Sequence, residues 1–172
     1  MRIKVTGTRR LINKLEAYQK NLDEKQHRLL DELAKIGIDT ASVRFETAQY
    51  DGENDVVVNR QPEWAGENRL FLTATGKSVT FIEFGTGVHY AEQHPNADAL
   101  GFARGAYGQG KGSRDAWGYY GTPGTNGKVL RETDKGTLVL TRGNPPARAL
   151  YDAAKEMRSR AVEIAREVYR ND

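Results

Sequence analysis

The sequence predicts an α+β domain, and three observations carry that expectation: a helical stripe at each end of the chain, period-two segments between them, and a concentration of glycine in the middle. From about Thr8 to Phe45, Leu11, Leu15, Tyr18, Leu22, Leu29, Leu33 and Ile36 recur at steps of three, four and seven, the period of one helical face. The stripe lapses near Lys25 and Gln26, and Gly37 is expected to weaken or bend the later part. Lys14 to Lys35 carries five charges of each sign, the pattern of a solvated outer face. At the other end Asn144 is suited to cap a helix and Pro145 to open it, so a helix is expected to begin there. Leu150, Ala154, Met157, Ala161, Ile164 and Val168 then form an unbroken seam of alternating steps of four and three.

Between the helices, residues 55–59, 70–74 and 78–84 are short, β-branched or aromatic, and bounded by Gly, Pro or Asn, which predicts strands; Arg2 to Thr6 is a further candidate. Lys128 to Thr133 and Thr137 to Thr141 read as a hairpin whose Gly136 supplies the left-handed turn position. Two long helices bracketing a small, mostly antiparallel sheet would bury one sheet face. Thirteen of the 18 glycines fall between Gly85 and Gly143, and residues 88–126 have little periodicity, so they are expected to form a long Gly-rich loop or arm. At 172 residues the chain makes one domain, 1–172, with that arm inside it.

Composition excludes several classes. With no cysteine there is no disulfide, thiolate nucleophile or Cys-ligated zinc. The first residues lack the apolar core of a signal peptide and no run suits a membrane span, so no membrane partner is expected and the protein should stay in the cytosol where it is made. A net charge of +3 is too balanced to argue for nucleic acid by itself. Gly105 to Gly112 has the glycine and lysine spacing of a phosphate-binding loop, but Gly112 stands where Ser or Thr must follow Lys111, and no helix pattern follows. His89, Glu92, His94 and Asp98 are ligand types at an unhelpful spacing beside Pro95. No serine sits in a nucleophile elbow, and the acidic pairs lie in polar loops. The expectation is no catalytic residue, no metal and no cofactor: a protein that is not an enzyme.

Residues 101–131 combine Arg104, Lys111, Arg114, Lys128 and Arg131 with Phe102, Tyr107, Trp117, Tyr119 and Tyr120 against the single acid Asp115. Aromatics and arginine anchor protein interfaces, so Tyr107, Lys111, Arg114, Trp117, Tyr119 and Tyr120 are the candidate docking residues. Cationic aromatic surfaces also bind nucleic acid, which makes a nucleic-acid-binding module acting through this arm the alternative. Gly85 and Gly87 are expected to let a strand leave the sheet through angles a side chain forbids, and Glu83, at that strand end, to accept backbone N–H groups of the turn or to pair across a subunit boundary. Thr141, Gly143 and Asn144 are expected to shape the entry to the last helix.

The segment Glu83-Phe84-Gly85-Thr86-Gly87, followed by His94-Pro95, Trp117-Gly118-Tyr119 and Thr141-Arg142-Gly143-Asn144-Pro145-Pro146, resembles the neck and tail-completion proteins of long-tailed bacteriophages. The succession of motifs and the N-terminal helix extend the resemblance over most of the chain. The chain departs from that pattern in having Ala149-Leu150-Tyr151 at the entry to its last helix and a glycine-rich insertion at Gly101 to Gly112. The resemblance implies a structural virion protein of the neck, tail-completion or tail-terminator type, made in the host cytoplasm. It would form a ring, a hexamer by the sixfold symmetry of such tails, around the DNA passage at the head-to-tail junction. Its partners would be further copies of itself, the connector or head-completion protein and tail tube proteins, with possible non-specific contact to DNA.

Overall fold

The computed structural model describes residues 8–90, 93–102 and 114–170 and is an α+β arrangement of two long helices, a short helix and small antiparallel sheets. α1 (Thr8–Glu46) runs unbroken through Gly37, and α3 (Ala149–Arg170) returns beside it. The direction is antiparallel: Arg44 pairs with Asp152 at 3.0 Å near one end, and the Lys25 ammonium lies 5.9 Å from the Tyr169 ring centroid near the other. The two helices therefore pack on each other rather than on opposite sides of a sheet. Gly37 explains the close approach, because a Cβ there would sit 2.7 Å from the Met157 sulfur and 2.9 Å from Leu72. In the predicted C-terminal seam Ile164 and Val168 are buried, and Leu150, Ala154, Met157 and Ala161 are half-buried beside fully covered Ala149 and Ala153.

The core joins Ala41 and Phe45 of α1 to Ala149 and Ala153 of α3, closed by Ile82 of α2 (Val79–Phe84). Val79–Phe84 is thus a helix, with Ser78 at its N-cap, and not the strand expected over 78–84. Apolar alternation over so few residues fits either form, but Ile82 and Glu83 are adjacent and both buried, and consecutive strand residues point to opposite faces. The start of α2 is prepared from a distance: Asp55 accepts the Lys77 and Ser78 N–H groups at 2.8 and 2.9 Å and the Ser78 hydroxyl. These bonds, the hydroxyl's first, hold the Asp55 carboxyl down to about 2.

The predicted strands at 55–59 and 70–74 appear as pieces of one irregular ribbon. β1 (Val57–Val58) pairs with β4 (Ala74–Thr75), and β2 (Glu63–Trp64) pairs with β3 (Leu70–Phe71). The ribbon lies against α1 through β1 and β3. The second sheet has the order β5-β7-β6, from β5 (Trp117–Tyr120), β6 (Lys128–Thr133) and β7 (Gly136–Thr141). β6 and β7 are the predicted hairpin, and Gly136 takes φ 108° at its turn. β5 falls inside the stretch expected to be an arm, so that stretch is partly built into the body. His94 and Ala97 are buried, and the Thr125 N–H donates to the Tyr50 carbonyl at 2.9 Å. The candidate strand at 2–6, the phosphate-loop-like segment 105–112 and the docking candidates Tyr107 and Lys111 lie outside the described residues, as does Glu92. Among the described residues no helix is long and apolar enough to cross a membrane.

Asp55 yields a pH-dependent prediction. A carboxyl held below its unfolded value contributes stability that is complete above the unfolded pKa, about 4, and lost as pH falls through about 2. Asp55→Asn is expected to lower the Tm at pH 7, with the gap to the parent closing between about pH 5 and pH 2 in thermal melts followed by circular dichroism.

Candidate functional site

α3 does not begin at Pro145. The chain passes Pro145 to Ala147 without helical turns, and Arg148 adopts φ 54° before the first helical bond, from the Asp152 N–H to the Arg148 carbonyl at 2.8 Å. Arg148 has no short acceptor to offer the orphan N–H groups of the first turn, which must find one elsewhere. Glu83 supplies it. Its Oε2 accepts the Leu150 N–H at 2.9 Å and its Oε1 the Tyr151 N–H at 3.0 Å, so a carboxylate 67 positions upstream in sequence caps the helix. The helix dipole favours the negative charge there. The carbonyls that α2 leaves unpaired are used as well: Ile82 and Glu83 accept the Ala147 and Arg148 N–H groups at 2.8 and 3.2 Å.

The third ligand of the carboxylate is His94, whose Nε2 lies 3.2 Å from Oε1 with both residues buried. His94 Nδ1 accepts the Asn96 N–H, so the ring proton resides on Nε2 and is donated to Glu83. The imidazole is enclosed by aromatic rings, Phe84 at 4.5 Å and Tyr151 at 5.5 Å between centroids, and Phe84 stacks on Phe102 at 4.1 Å. His94 is therefore a strut. Among the described residues no group of three His, Asp or Glu side chains could hold a metal ion, and His89 is exposed.

Immediately after Glu83 the chain lies against the segment that leads into α3. Thr86 and Asn144 exchange both backbone bonds, N–H to carbonyl at 2.9 and 3.1 Å, as opposed residues of an antiparallel pair do. The Thr86 hydroxyl also accepts from the Asn144 N–H and its side-chain amide at 3.0 and 3.1 Å. The approach is too close for side chains: a Cβ on Gly143, at φ 93°, would sit 2.1 Å from the Thr86 carbonyl oxygen, and one on Gly85, at φ 79°, would sit 2.8 Å from the Asn144 oxygen. Asn144, expected as a helix cap, instead accepts the Asp51 N–H at 2.7 Å. Asp51 completes the junction by accepting the Thr141 hydroxyl at 2.5 Å and the Asn126 N–H at 2.8 Å.

Glu83, Phe84, Gly85, Thr86, Gly87, Thr141 and Gly143 thus belong to one brace between α2 and α3, and Pro145 lies in the non-helical stretch that leads from it to α3. Trp117 reaches it too, with its ring 3.2 Å from where a Cβ on Gly87 would lie. Two contributors carried no sequence signal: Asp51, which sits in a polar loop, and the backbone of Leu150 and Tyr151.

The docking candidates divide. Trp117 and Tyr119 share a sheet face with buried Val139 and Thr141 and are half-buried themselves. The Tyr119 hydroxyl donates to the Thr122 carbonyl at 2.7 Å, and burial, with Asp51 and Tyr50 nearby, pushes it up to about 12. Tyr120 and Arg114 are exposed. Register places Tyr120, Leu138 and Arg131 in one row and Gly118, Leu140 and Lys128 in the next, so the outward sheet face presents Tyr120 on one edge strand and Lys128 and Arg131 on the other, separated by Leu138 and Leu140 of β7.

Removing the cap leaves two helix N–H groups and a buried imidazole without an acceptor, each worth about 1–3 kcal/mol. Glu83→Ala is therefore expected to cost about 3 kcal/mol or more in urea unfolding, and Glu83→Gln, which keeps an acceptor, about half as much. A comparison with known protein families, with curated proteins and with solved structures finds no match to this chain.

Proposed function

We propose that this chain is a non-enzymatic structural component of a tailed bacteriophage, a ring-forming neck or tail-completion protein that joins the head-side connector to the tail around the DNA passage. The observation that carries the reading is the meeting of all four resemblance motifs at one point. Glu83 to Gly87, His94-Pro95, Trp117 to Tyr119 and Thr141 to Pro146 are scattered over more than 60 residues, yet hydrogen bonds and ring contacts join them at the start of α3. A set of motifs whose joint product is a braced helix end specifies a body plan, as an assembly protein requires. Glu83 and His94, the two groups in it best suited to proton transfer, are buried and occupied by each other and by backbone.

In this reading the outward sheet face, with Tyr120, Lys128 and Arg131, and the exposed Arg114 before β5 dock on other virion polypeptides. Rings of this kind arise from head-to-tail contacts that close by rotation, and six copies is the number the resemblance favours. The same face favours one alternative, a nucleic-acid module, because an exposed tyrosine on one edge strand and two cations on the other also suit base stacking and phosphate contact.

One experiment separates the two. Negative-stain micrographs of the purified protein mixed with isolated phage tails are expected to show ring particles seated at one tail end. Fluorescence anisotropy with a labelled duplex should show little binding at 50 or 200 mM salt. Bare tail ends combined with duplex binding that falls steeply with salt would replace this reading by the alternative.

A further inference from the structure

α1 is longer than anything it packs against. α3 ends at Arg170 and its Tyr169 meets Lys25, so among the described residues the first 17 positions of α1, about 25 Å of helix, run past the end of α3. That extension is not polar all round. Leu11, Leu15, Tyr18 and Leu22 form a stripe at steps of four, three and four, and they are 58%, 59%, 63% and 36% exposed, with Ile12 beside them at 52%. A helix segment of this length gains little from propensity alone and derives its stability from burying such a face.

We propose that residues 8–25 of α1 pair antiparallel with the same residues of a second copy of this chain. The pattern is its own complement. Turning one copy end for end about the midpoint between Glu16 and Ala17 sets Leu11 opposite Leu22 and Leu15 opposite Tyr18, so every stripe residue meets an apolar residue of the second copy. The steps of four and three make these the a-to-d layers of an antiparallel coiled coil. The charges obey the same symmetry. Arg9 and Arg10 stand at one end and Asp23 and Glu24 at the other, so the end-for-end arrangement brings the basic end of each copy level with the acidic end of its mate. A parallel arrangement sets Arg9 and Arg10 beside their own copies and does the same to Asp23 and Glu24. These charges flank the stripe, and Glu24 also meets Lys20 at 3.8 Å, so they select orientation while the apolar layers supply the association. The contact is isologous, distinct from the head-to-tail contact that closes a ring, and does not depend on the place in the virion proposed above.

The absence of cysteine allows a direct test with the full-length chain. Light scattering at tens of micromolar is expected to give twice the 19.2 kDa of one chain, reduced to the single-chain mass in the Leu15→Glu, Tyr18→Glu double variant with the thermal melt of the body retained. A bismaleimide spanning about 8 Å is expected to link Leu11→Cys chains to Leu22→Cys chains when the two are mixed. It should leave Leu11→Cys chains alone unlinked, since in the antiparallel pair those positions lie about 16 Å apart along the axis. A single-chain mass for the parent, as would follow if residues 1–7 of the same chain covered the stripe, overturns the proposal. So does efficient linking of Leu11→Cys chains to one another.

Discussion

The structure depends on one carboxylate. Glu83 stands buried at the end of a helix of six residues and points at the start of a helix of 22, where it accepts two backbone N–H groups that no local side chain reaches. A charge in that position is stabilised by the helix dipole and by charge-assisted hydrogen bonds, and it would be costly if any of its three donors were removed. Because the donors come from α3 and from His94, the carboxylate fixes the relative placement of α2, α3 and the stretch around residue 94 together. The core follows from that placement, since Ile82 of α2 meets Ala149 and Ala153 of α3 only when the two helix ends are held in this geometry.

Around the carboxylate the backbone itself is the building material. Gly85 and Gly143 allow two strands of chain to approach until carbonyl oxygens occupy the space a Cβ would need, and Thr86, Asn144, Asp51 and Thr141 then satisfy the polar groups that this approach buries. Threonine and asparagine are dictated here by hydrogen-bond accounting and glycine by the space the backbone leaves. Such a junction ties the β5-β7-β6 sheet to the loop after α1 through Asp51, with Tyr120, Lys128 and Arg131 outward.

The long elements were legible in the sequence because their signals are local and repeated. The stripes of α1 and α3 and the β6-β7 hairpin with Gly136 at its turn needed no tertiary information. Residues 78–84 carry the pattern of a strand because seven residues are too few for a period to declare itself, and the contact that fixes the start of the helix comes from Asp55, more than 20 positions away. The start of α3 was placed too early for the same reason, because Asn144 has the chemistry of a cap but is committed to Asp51 and Thr86. Glu83, Gly85, Thr86, Thr141 and Gly143 were recognisable as a set, yet the atoms they meet were not, since backbone groups leave no mark in a sequence. The aromatic run at 117–120 concealed a strand whose alternation turns Trp117 and Tyr119 inward and leaves Tyr120 outside.

The junction of α2, α3 and the segments around residues 94 and 144 shares its hydrogen bonds so closely that it forms a single cooperative unit on which outward surfaces are mounted. Hydrogen exchange resolved to single amides tests this most directly. The N–H groups of Thr86, Asn144, Leu150 and Tyr151 should exchange together, at the slow rate set by global unfolding and matching the amides of α1 around Ala41. Exchange of Leu150 and Tyr151 at the fast rate of a fraying helix end, while the α1 amides stay protected, would contradict it.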